Sequence, residues 1–313
     1  MLPDQAVRWV TDALGPGSRL VAVRRLRPGG WHVNHAVDVA CGGGGRVRRL
    51  VLRRWARPGW EADDPDYTVD REVRVLALLA GTPVPVPGVV AADPGGSRCD
   101  VPAILLTRLS GHPPRRVDAE AEGFCRQLAQ TLGLIHATGD LLGGARPIGV
   151  SYRLYYDRER AEPARWMSGS RTWAGAVAAV REAPPPAVPT LIHRDYHPEN
   201  TLWSRGRLTG VVDWTQASWG PPELDVAHMR WNLAADHGQQ VADQFLACYR
   251  AITGRALEHQ PYWDLVSLLD VLLDGDPDDP GDLGPDDQRR FEAYAKTALA
   301  RLGVSAQIHA RKR

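Results

Sequence analysis

The sequence predicts an α+β protein in which a strand-rich first part is followed by a mostly helical remainder. Runs that alternate apolar and polar residues, separated by turns rich in glycine and proline, occupy the first hundred residues. From residue 118 onward, apolar residues recur at helical spacing instead. The glycine and prolines of SGHPP, residues 110 to 114, suit a connector. We therefore predict two lobes, residues 1–109 and 110–313.

The first lobe is predicted to be an antiparallel sheet with two helices. Glycine-rich turns at residues 28–30 and 42–45 separate its strands, and the prolines of TPVPVPGVV end its second helix. The predicted strands cover residues 20–26, 35–40, 47–55 and 102–109, and the predicted helices cover 3–14 and 68–80.

The second lobe is predicted to be larger and mostly helical. Its first helix places Phe124, Leu128, Leu132 and Ile135 on one stripe. The predicted helices cover residues 119–137, 155–166, 172–182, 223–235, 239–252, 262–273 and 286–302.

Composition excludes several classes of protein. The chain has 313 residues and a formal net charge of +1, which gives no argument for a nucleic-acid partner or an anionic membrane. Its only lysines are Lys296 and Lys312, so the first 295 residues contain neither a Walker-type phosphate loop nor a Schiff-base lysine. The four cysteines lack the paired spacing of a zinc site or a disulfide framework.

The sequence also predicts where the protein works. The first residues, MLPDQAVRWVTDALG, lack the basic flank and the apolar run of a signal peptide. No uncharged apolar segment approaches the ~20 residues that a membrane span needs. We expect a cytoplasmic, soluble protein without a membrane partner, present as a monomer or a homodimer.

Polar side chains are concentrated in LIHRDYHPENTLW, residues 191 to 203. The two β-prone runs 201–204 and 208–212 follow, around a tight turn at residues 205–207, and predict a hairpin. In such a hairpin, the position opposite Asn200 falls within a residue or so of Asp213. Directly opposed residues of an antiparallel pair lie ~5 Å apart. An amide and a carboxylate oxygen are ligands that magnesium takes beside phosphates. Asp195 can face such a metal from the side on which a hydroxyl would approach.

The motifs HRDYHPEN, VVDW and GPPELDVA resemble those of the aminoglycoside phosphotransferase-like family, which includes choline- and aminoglycoside-kinase-like enzymes of the protein-kinase-like fold. The resemblance implies an ATP- and magnesium-dependent phosphotransferase that acts on a hydroxyl group of a small molecule. It implies that Asp195 is the catalytic base and that Asn200 and Asp213 are the magnesium ligands. His193, His197 and Asp225 would support the catalytic loop.

The resemblance extends to the first lobe. Arg53, in RVRRLVLRRW, occupies the place of the family's phosphate-binding cation, and an arginine there binds phosphate bidentately. Glu72 lies on the apolar stripe of its helix, where a carboxylate is costly unless it is paired. We therefore expect Glu72 to pair with Arg53 and to position it.

Two backbone segments complete the predicted nucleotide site. PGGWHVN, residues 28 to 34, lies where the family has its phosphate loop, so Gly29, Gly30 and Asn34 would contact ATP phosphates. PAILLTRLSG resembles the family's lobe connector, in which main-chain groups bind adenine. The connector residues predicted to do so are Thr107, Arg108 and Leu109.

Other functions stay open from the residues alone. A polar turn with incidental acids does not explain why an asparagine, two aspartates and a hairpin coincide. A metal-dependent hydrolase could use His193, Asp195 and His197, although no further histidine cluster completes such a site. The missing lysine also leaves open a nucleotide-binding pseudoenzyme. The acceptor is undetermined, and its specificity is expected to come from residues 150–175 and from the helices after Asp225.

Overall fold

The structure is a computed structural model that describes residues 2–26, 32–42, 46–63, 66–114, 121–142, 146–274, 276–281 and 283–311. The chain forms two compact units. The first contains Met1–His112 and Leu202–Ala217, and the second contains Pro113–Thr201 and Ser218–Arg313. The sequence predicted a single division after residue 109, whereas the structure groups Leu202–Ala217 with the first unit.

The chain begins with one helix and three successive strands, and it ends with four successive helices. The described strands are β1 (Arg19–Arg25), β2 (Val33–Ala40), β3 (Val47–Arg54), β4 (Val89–Asp93), β5 (Ala103–Thr107), β6 (Thr190–Ile192), β7 (Thr201–Ser204), β8 (Arg207–Val211) and β9 (Ser218–Gly220). The described α-helices are α1 (Asp4–Asp12), α2 (Trp60–Asp63), α3 (Val69–Leu79), α4 (Ala121–Leu141), α5 (Arg171–Arg181), α6 (Pro222–His237), α7 (Gln239–Thr253), α8 (Gln260–Leu272) and α9 (Pro285–Arg311).

The first unit is built on a five-stranded antiparallel sheet with the order β1-β2-β3-β5-β4. One face is covered by α1, whose Trp9 packs with Val37, Leu50 and Leu105. The strands predicted from alternation are therefore confirmed. The sequence analysis missed β4 because it is a five-residue strand directly after a proline-rich run.

Helix α3 has boundaries that its sequence specifies. The Thr68 hydroxyl accepts the Arg71 N–H at 3.2 Å, which satisfies one of the free donors at the helix start. Beyond Ala80, Gly81 takes a φ of 82°, a conformation that ends the helix at little cost for glycine. This fixes the position of Glu72 in the first turn of α3.

The hairpin predicted from the β-prone runs 201–204 and 208–212 is confirmed. Strands β7 and β8 pair around Arg205 and Gly206, whose φ angles are 50° and 73°. Two successive left-handed residues are typical of the tight turn that joins twisted antiparallel strands. The Val211 N–H also donates to the Pro85 carbonyl at 2.8 Å, which ties β8 to the segment after α3.

The second unit is a helical assembly with a short antiparallel pair, β6 and β9. Its core includes Trp173 of α5, Leu265 of α8 and Tyr294 of α9. None of the helices in the described ranges is long and apolar enough to cross a membrane. The predicted cytoplasmic location stays a prediction.

The helix predicted over residues 155–166 was wrong. That stretch contains turns and ends in a 3-10 helix, Arg165–Met167. The Asp157 carboxylate accepts the N–H groups of Glu159 and Arg160, so its side chain competes with helical hydrogen bonding. Pro163 adds a residue that cannot donate within a helix.

Replacing Asp264 by alanine is expected to lower the free energy of unfolding by about 3–5 kcal/mol, because it leaves Arg230 buried with a weaker partner. Both side chains of this ion pair are almost fully buried. Arg230 retains Asp243 at 2.9 Å, which favours the lower end of this range. Urea unfolding monitored by circular dichroism measures the change.

The matched control is Asp286→Ala, which breaks an ion pair with Arg289 at the surface. Exposed pairs contribute only about 0–1 kcal/mol, so this variant should unfold almost like the wild type. Equal destabilisation of the two variants would contradict the importance of burial for Asp264.

Candidate functional site

Arg53 on β3 bridges two carboxylates within the first unit. Its Nη1 lies 2.7 Å from Glu72 Oε1, and its Nη2 lies 2.5 Å from Asp213 Oδ1. The Arg53 and Glu72 side chains are buried, whereas the Asp213 side chain is 28% exposed. The expected contact between Arg53 and Glu72 is therefore present, and its role in catalysis stays a prediction.

The Glu72 and Asp213 carboxylates keep Arg53 positively charged. Burial lowers the pKa of the guanidinium, but attraction to Asp213 and Glu72 outweighs burial and raises the pKa. A buried arginine flanked by two acids is a fixed cation with a defined orientation. It can provide the positive charge that a lysine would otherwise supply, because the first 295 residues contain no lysine.

His32 is a third neighbour of Arg53 that the sequence analysis did not identify. Its Nδ1 lies 3.0 Å from Arg53 Nη2, and its ring packs edge-on against Trp55 at 4.4 Å. Arginine can only donate, so Nδ1 accepts and the ring proton resides on Nε2. Burial, followed by the charge of Arg53, lowers the pKa of His32 to about 3.

Two buried donors of this cluster lack acceptors. Within the part of the chain that the structure describes, Arg53 Nε and His32 Nε2 have no hydrogen-bond partner. Buried donors without acceptors are costly, and phosphate oxygens are acceptors that would satisfy them. The cluster therefore fits a phosphate-bearing ligand.

A left-handed turn positions Asp213 at the end of β8. Its φ and ψ are 67° and 64°, a conformation uncommon for residues other than glycine. The Thr215 hydroxyl donates to Asp213 Oδ1 at 2.9 Å. Arg71 holds the residues that follow, since its Nη2 donates to the carbonyls of Gln216 and Ala217 at 3.0 and 2.8 Å.

The other predicted nucleotide contacts are only partly described. Asn34 lies directly opposite Arg53 in the β2–β3 register, whereas Gly29 and Gly30 lie outside the described residues. The N–H groups of Thr107 and Arg108 donate to the carbonyls of Gly88 and Arg49. Adenine binding by Thr107, Arg108 and Leu109 stays a prediction, and the first two amides are already engaged.

In the second unit, Asp225 holds the start of the predicted catalytic loop, residues 193–200. This fully buried carboxylate on α6 accepts the N–H groups of His193 and Arg194 at 2.8 and 2.6 Å. His136 Nε2 lies 3.1 Å from the same carboxylate, and its Nδ1 lies 2.6 Å from Tyr249 Oη. Arg194 adopts a φ of 70°, so the loop turns sharply before Asp195.

The Asp195 carboxylate is oriented through both oxygens. Asn200 Nδ2 donates to Oδ2 at 2.7 Å, and His228 Nε2 lies 3.2 Å from Oδ1. Burial raises the pKa of Asp195, but His197, His228 and His193 outweigh it and hold the pKa well below its usual range. The side chain is 24% exposed, which leaves it accessible to a ligand.

The two loop histidines have different surroundings. His193 is fully buried and packs against the Tyr196 ring, with ring centroids 6.0 Å apart. His197 Nε2 lies 3.7 Å from Asp195 Oδ1, and burial lowers the pKa of its ring. Among the described residues, no group of three His, Cys, Asp or Glu side chains could hold a metal, so the hydrolase alternative gains no support.

Magnesium suits the chemistry of the oxygen atoms that Asn200 and Asp213 carry. Asn200 Nδ2 donates to Asp195, and the Asn200 amide oxygen has no partner within the described ranges. An amide oxygen and the carboxylate of Asp213 are hard ligands that suit magnesium. Their convergence on one ion stays a prediction.

Sequence reasoning missed several supporting residues. These residues are Arg71, His136 and His228. One signal for His228 was present, because it follows Asp225 by three residues and therefore lies on the same helix face. Arg71 and His136 act on backbone and side-chain groups far away in the sequence, and no spacing pattern indicates such contacts.

We expect the free energy of unfolding to rise with pH between about pH 4 and 6.5, partly because of His32. Its pKa is about 3 in the folded state and near 6.5 when unfolded, so the unfolded chain binds more protons in this window. His32→Asn should flatten the rise while keeping an acceptor for Arg53. Denaturant unfolding at several pH values measures it.

The control for this experiment is His112→Asn, at an exposed histidine of the same unit. An unchanged pH slope in His32→Asn, together with an equal slope in the control, would contradict the assignment of a neutral, buried His32.

Comparison with known proteins identifies relatives. The model of the family described as "Phosphotransferase enzyme family" matches residues 35–259. Viomycin phosphotransferase of Streptomyces vinaceus is 30% identical over 193 residues, which cover 55% of this chain and 64% of that protein. Homoserine kinase of Rhodospirillum rubrum is 30% identical over 149 residues, covering 44% of this chain and 45% of that protein. The matches thus span about half to two thirds of these relatives.

Solved structures share the fold at low sequence identity. A thermostable mutant of aminoglycoside phosphotransferase APH(4)-Ia, in a ternary complex with ADP and hygromycin B, is 18% identical with a TM-score of 0.63, covering 95% of this chain and 98% of that one. Macrolide 2'-phosphotransferase MphH from Brachybacterium faecium is 20% identical with a TM-score of 0.59, covering 94% and 97%. These likenesses confirm the predicted fold class.

Proposed function

Because the chain belongs to the phosphotransferase enzyme family, we propose that it transfers the γ-phosphate of ATP, with magnesium, to a hydroxyl group of a small molecule. The observation that carries this proposal is the buried bridge from Arg53 to Glu72 and Asp213. A cation fixed between a helix glutamate and a strand-end aspartate suits a site that orients phosphates. Neighbouring buried donors on Arg53 and His32 support the same assignment.

Asp195 would orient the acceptor hydroxyl and accept its proton. Its lowered pKa keeps the carboxylate ionised at neutral pH, so it is available as a hydrogen-bond acceptor. Asn200 and His228 restrict its rotation, which suits a reaction that depends on alignment more than on a strong base. Asp225 would keep this geometry by holding the loop backbone.

Other residues would hold the nucleotide and the metal. Of the three predicted adenine-binding residues, Leu109 has an N–H without a partner in the described part of the chain, so its amide is our candidate donor to adenine. Asn34, beside Arg53 in the sheet, would contact the phosphates. Asn200 and Asp213 would hold magnesium, which neutralises charge on the phosphates when bound.

The acceptor is a small molecule with a hydroxyl group in this proposal. The names of relatives supply test compounds, namely viomycin, homoserine and hygromycin B. Identity near 30% over part of each curated relative does not select among them. Sugars and amino alcohols belong in the same panel because phosphoryl transfer places few demands on the rest of the acceptor.

A panel assay tests the proposal. ADP formation is measured with each acceptor, with magnesium or with EDTA, and mass spectrometry detects the phosphorylated product. We expect acceptor-dependent ADP formation that EDTA abolishes. Product formation without nucleotide, or hydrolysis of an acceptor, would contradict a phosphotransferase.

A further inference from the structure

An open cavity of about 520 Å³ lies within the second unit and has no part in the site described so far. Trp166 of the 3-10 helix, Trp231 of α6 and Phe291 of α9 contribute aromatic walls. Leu268 and Leu272 of α8 line it as well. Its volume lies within the range of small-molecule pockets, and its walls are those of an apolar ligand site.

The wall of this cavity is connected to the catalytic loop. The Trp231 ring packs edge-on against the His228 ring, with centroids 4.8 Å apart. His228 Nε2 in turn lies 3.2 Å from Asp195 Oδ1. Two side chains, Trp231 and His228, therefore link a ligand in the cavity to the proposed base, and 24% of the Asp195 side chain is exposed.

The rim of the cavity is acidic. Asp276 and Asp279 line it, and among the described residues their carboxylates accept the backbone N–H groups of Asp278 and Gly281. No basic side chain lines the cavity among the described residues. Negative charge beside aromatic faces favours a ligand cation, by charge attraction and by cation–π contact.

We infer that this cavity binds the phosphate acceptor, and that the acceptor combines an aromatic or otherwise apolar body with a protonated amine and a hydroxyl group. The hydroxyl group of this acceptor rests on the proposed function. The apolar body and the amine rest on the residues that line the cavity. The apolar body contacts Trp231 and Phe291, and the amine lies at the acidic rim. This chemistry differs from that of a polyhydroxylated sugar, which would leave the apolar walls without a partner.

Direct binding tests the inference without requiring catalysis. Isothermal titration compares naphthylethanolamine with naphthylethanol, which lacks the amine, and with ethanolamine, which lacks the apolar body. We expect naphthylethanolamine to bind most tightly. Loss of the amine should weaken binding by about two- to fivefold, as for an exposed ion pair. Loss of the naphthyl group should weaken it by about 100-fold.

Three variants locate the binding site. Val271 lines the cavity and is 45% exposed, so Val271→Trp can fill the opening without disturbing the core. It should weaken naphthylethanolamine binding by about 10–100-fold. The Asp276→Asn, Asp279→Asn double variant should remove the advantage of the amine. Asp278→Asn is the control, because Asp278 belongs to the same acidic stretch but pairs with Arg165 outside the cavity lining.

The outcomes separate this inference from the proposed function. Equal binding of naphthylethanolamine to the wild type and Val271→Trp would overturn the inference, as would ethanolamine binding as tightly as naphthylethanolamine. Suppose that Val271→Trp leaves the KM unchanged for an acceptor that the enzyme phosphorylates. The proposed function would then stand, and the cavity would be rejected as the acceptor site. Binding that follows the expected order, without any phosphorylation, would support the cavity and count against the phosphotransferase.

Discussion

Asp195→Asn is expected to lower kcat for phosphate transfer by about 10²–10⁴-fold, while the Kd for nucleotide stays within about twofold. The substitution keeps the size of the side chain but removes the negative charge that would accept the hydroxyl proton. It also leaves Arg53, Glu72 and Asp213 unchanged, and these are the residues proposed for the phosphate side of the site. A loss confined to kcat would thus identify Asp195 as a group that acts on the acceptor.

The measurement combines the acceptor-dependent ADP assay with isothermal titration of ATP and magnesium. Asp140→Asn provides the control, because Asp140 is a half-exposed aspartate of the same unit that pairs with Arg255. Equal turnover by the wild type and Asp195→Asn would favour a nucleotide-binding protein without catalytic activity. The control should retain wild-type kcat and Kd.

The parts of the fold that sequence predicted are those that depend on local rules. The β7–β8 hairpin follows from two β-prone runs around Arg205-Gly206, because both turn residues need left-handed backbone angles. Glu72 was expected to pair because it lies on a buried helix stripe, where an unpaired carboxylate is too costly. Burial and turn geometry are thus encoded within a few residues and can be inferred from them.

The contacts that sequence did not predict join distant parts of the chain. Arg71 donates to carbonyls almost 150 positions later, and His136 reaches Asp225 across 89 positions. A side-chain donor of this kind leaves no periodic trace, because any backbone carbonyl can accept it. The failed helix near Asp157 has a different, local cause, since the Asp157 side chain accepts the N–H groups two and three residues later in place of the helical acceptors.

Asp213→Ala is expected to weaken the binding of magnesium-ATP by about 10–100-fold and to remove most of the difference between ATP with and without magnesium. Two changes act together, because the variant lacks the proposed metal ligand and also removes one of the two acceptors of Arg53 Nη2, which keeps His32 Nδ1 at 3.0 Å. Arg53 keeps Glu72 at 2.7 Å, so its buried charge remains compensated and folding should survive. The magnesium dependence of ATP affinity is therefore the diagnostic quantity.

Thermal-shift titrations with ATP, with and without magnesium, measure that dependence, since ligand stabilisation follows the free ligand concentration relative to Kd. Asp38→Asn is a matched control, because Asp38 belongs to the same unit, is 28% exposed like Asp213, and pairs with Arg108 at 3.0 Å. If Asp213 served only to hold Arg53, the variant would weaken the binding of ATP equally in magnesium and in EDTA. A loss specific to magnesium requires that the carboxylate contacts the ion, because a change in Arg53 alone acts on the phosphates under both conditions.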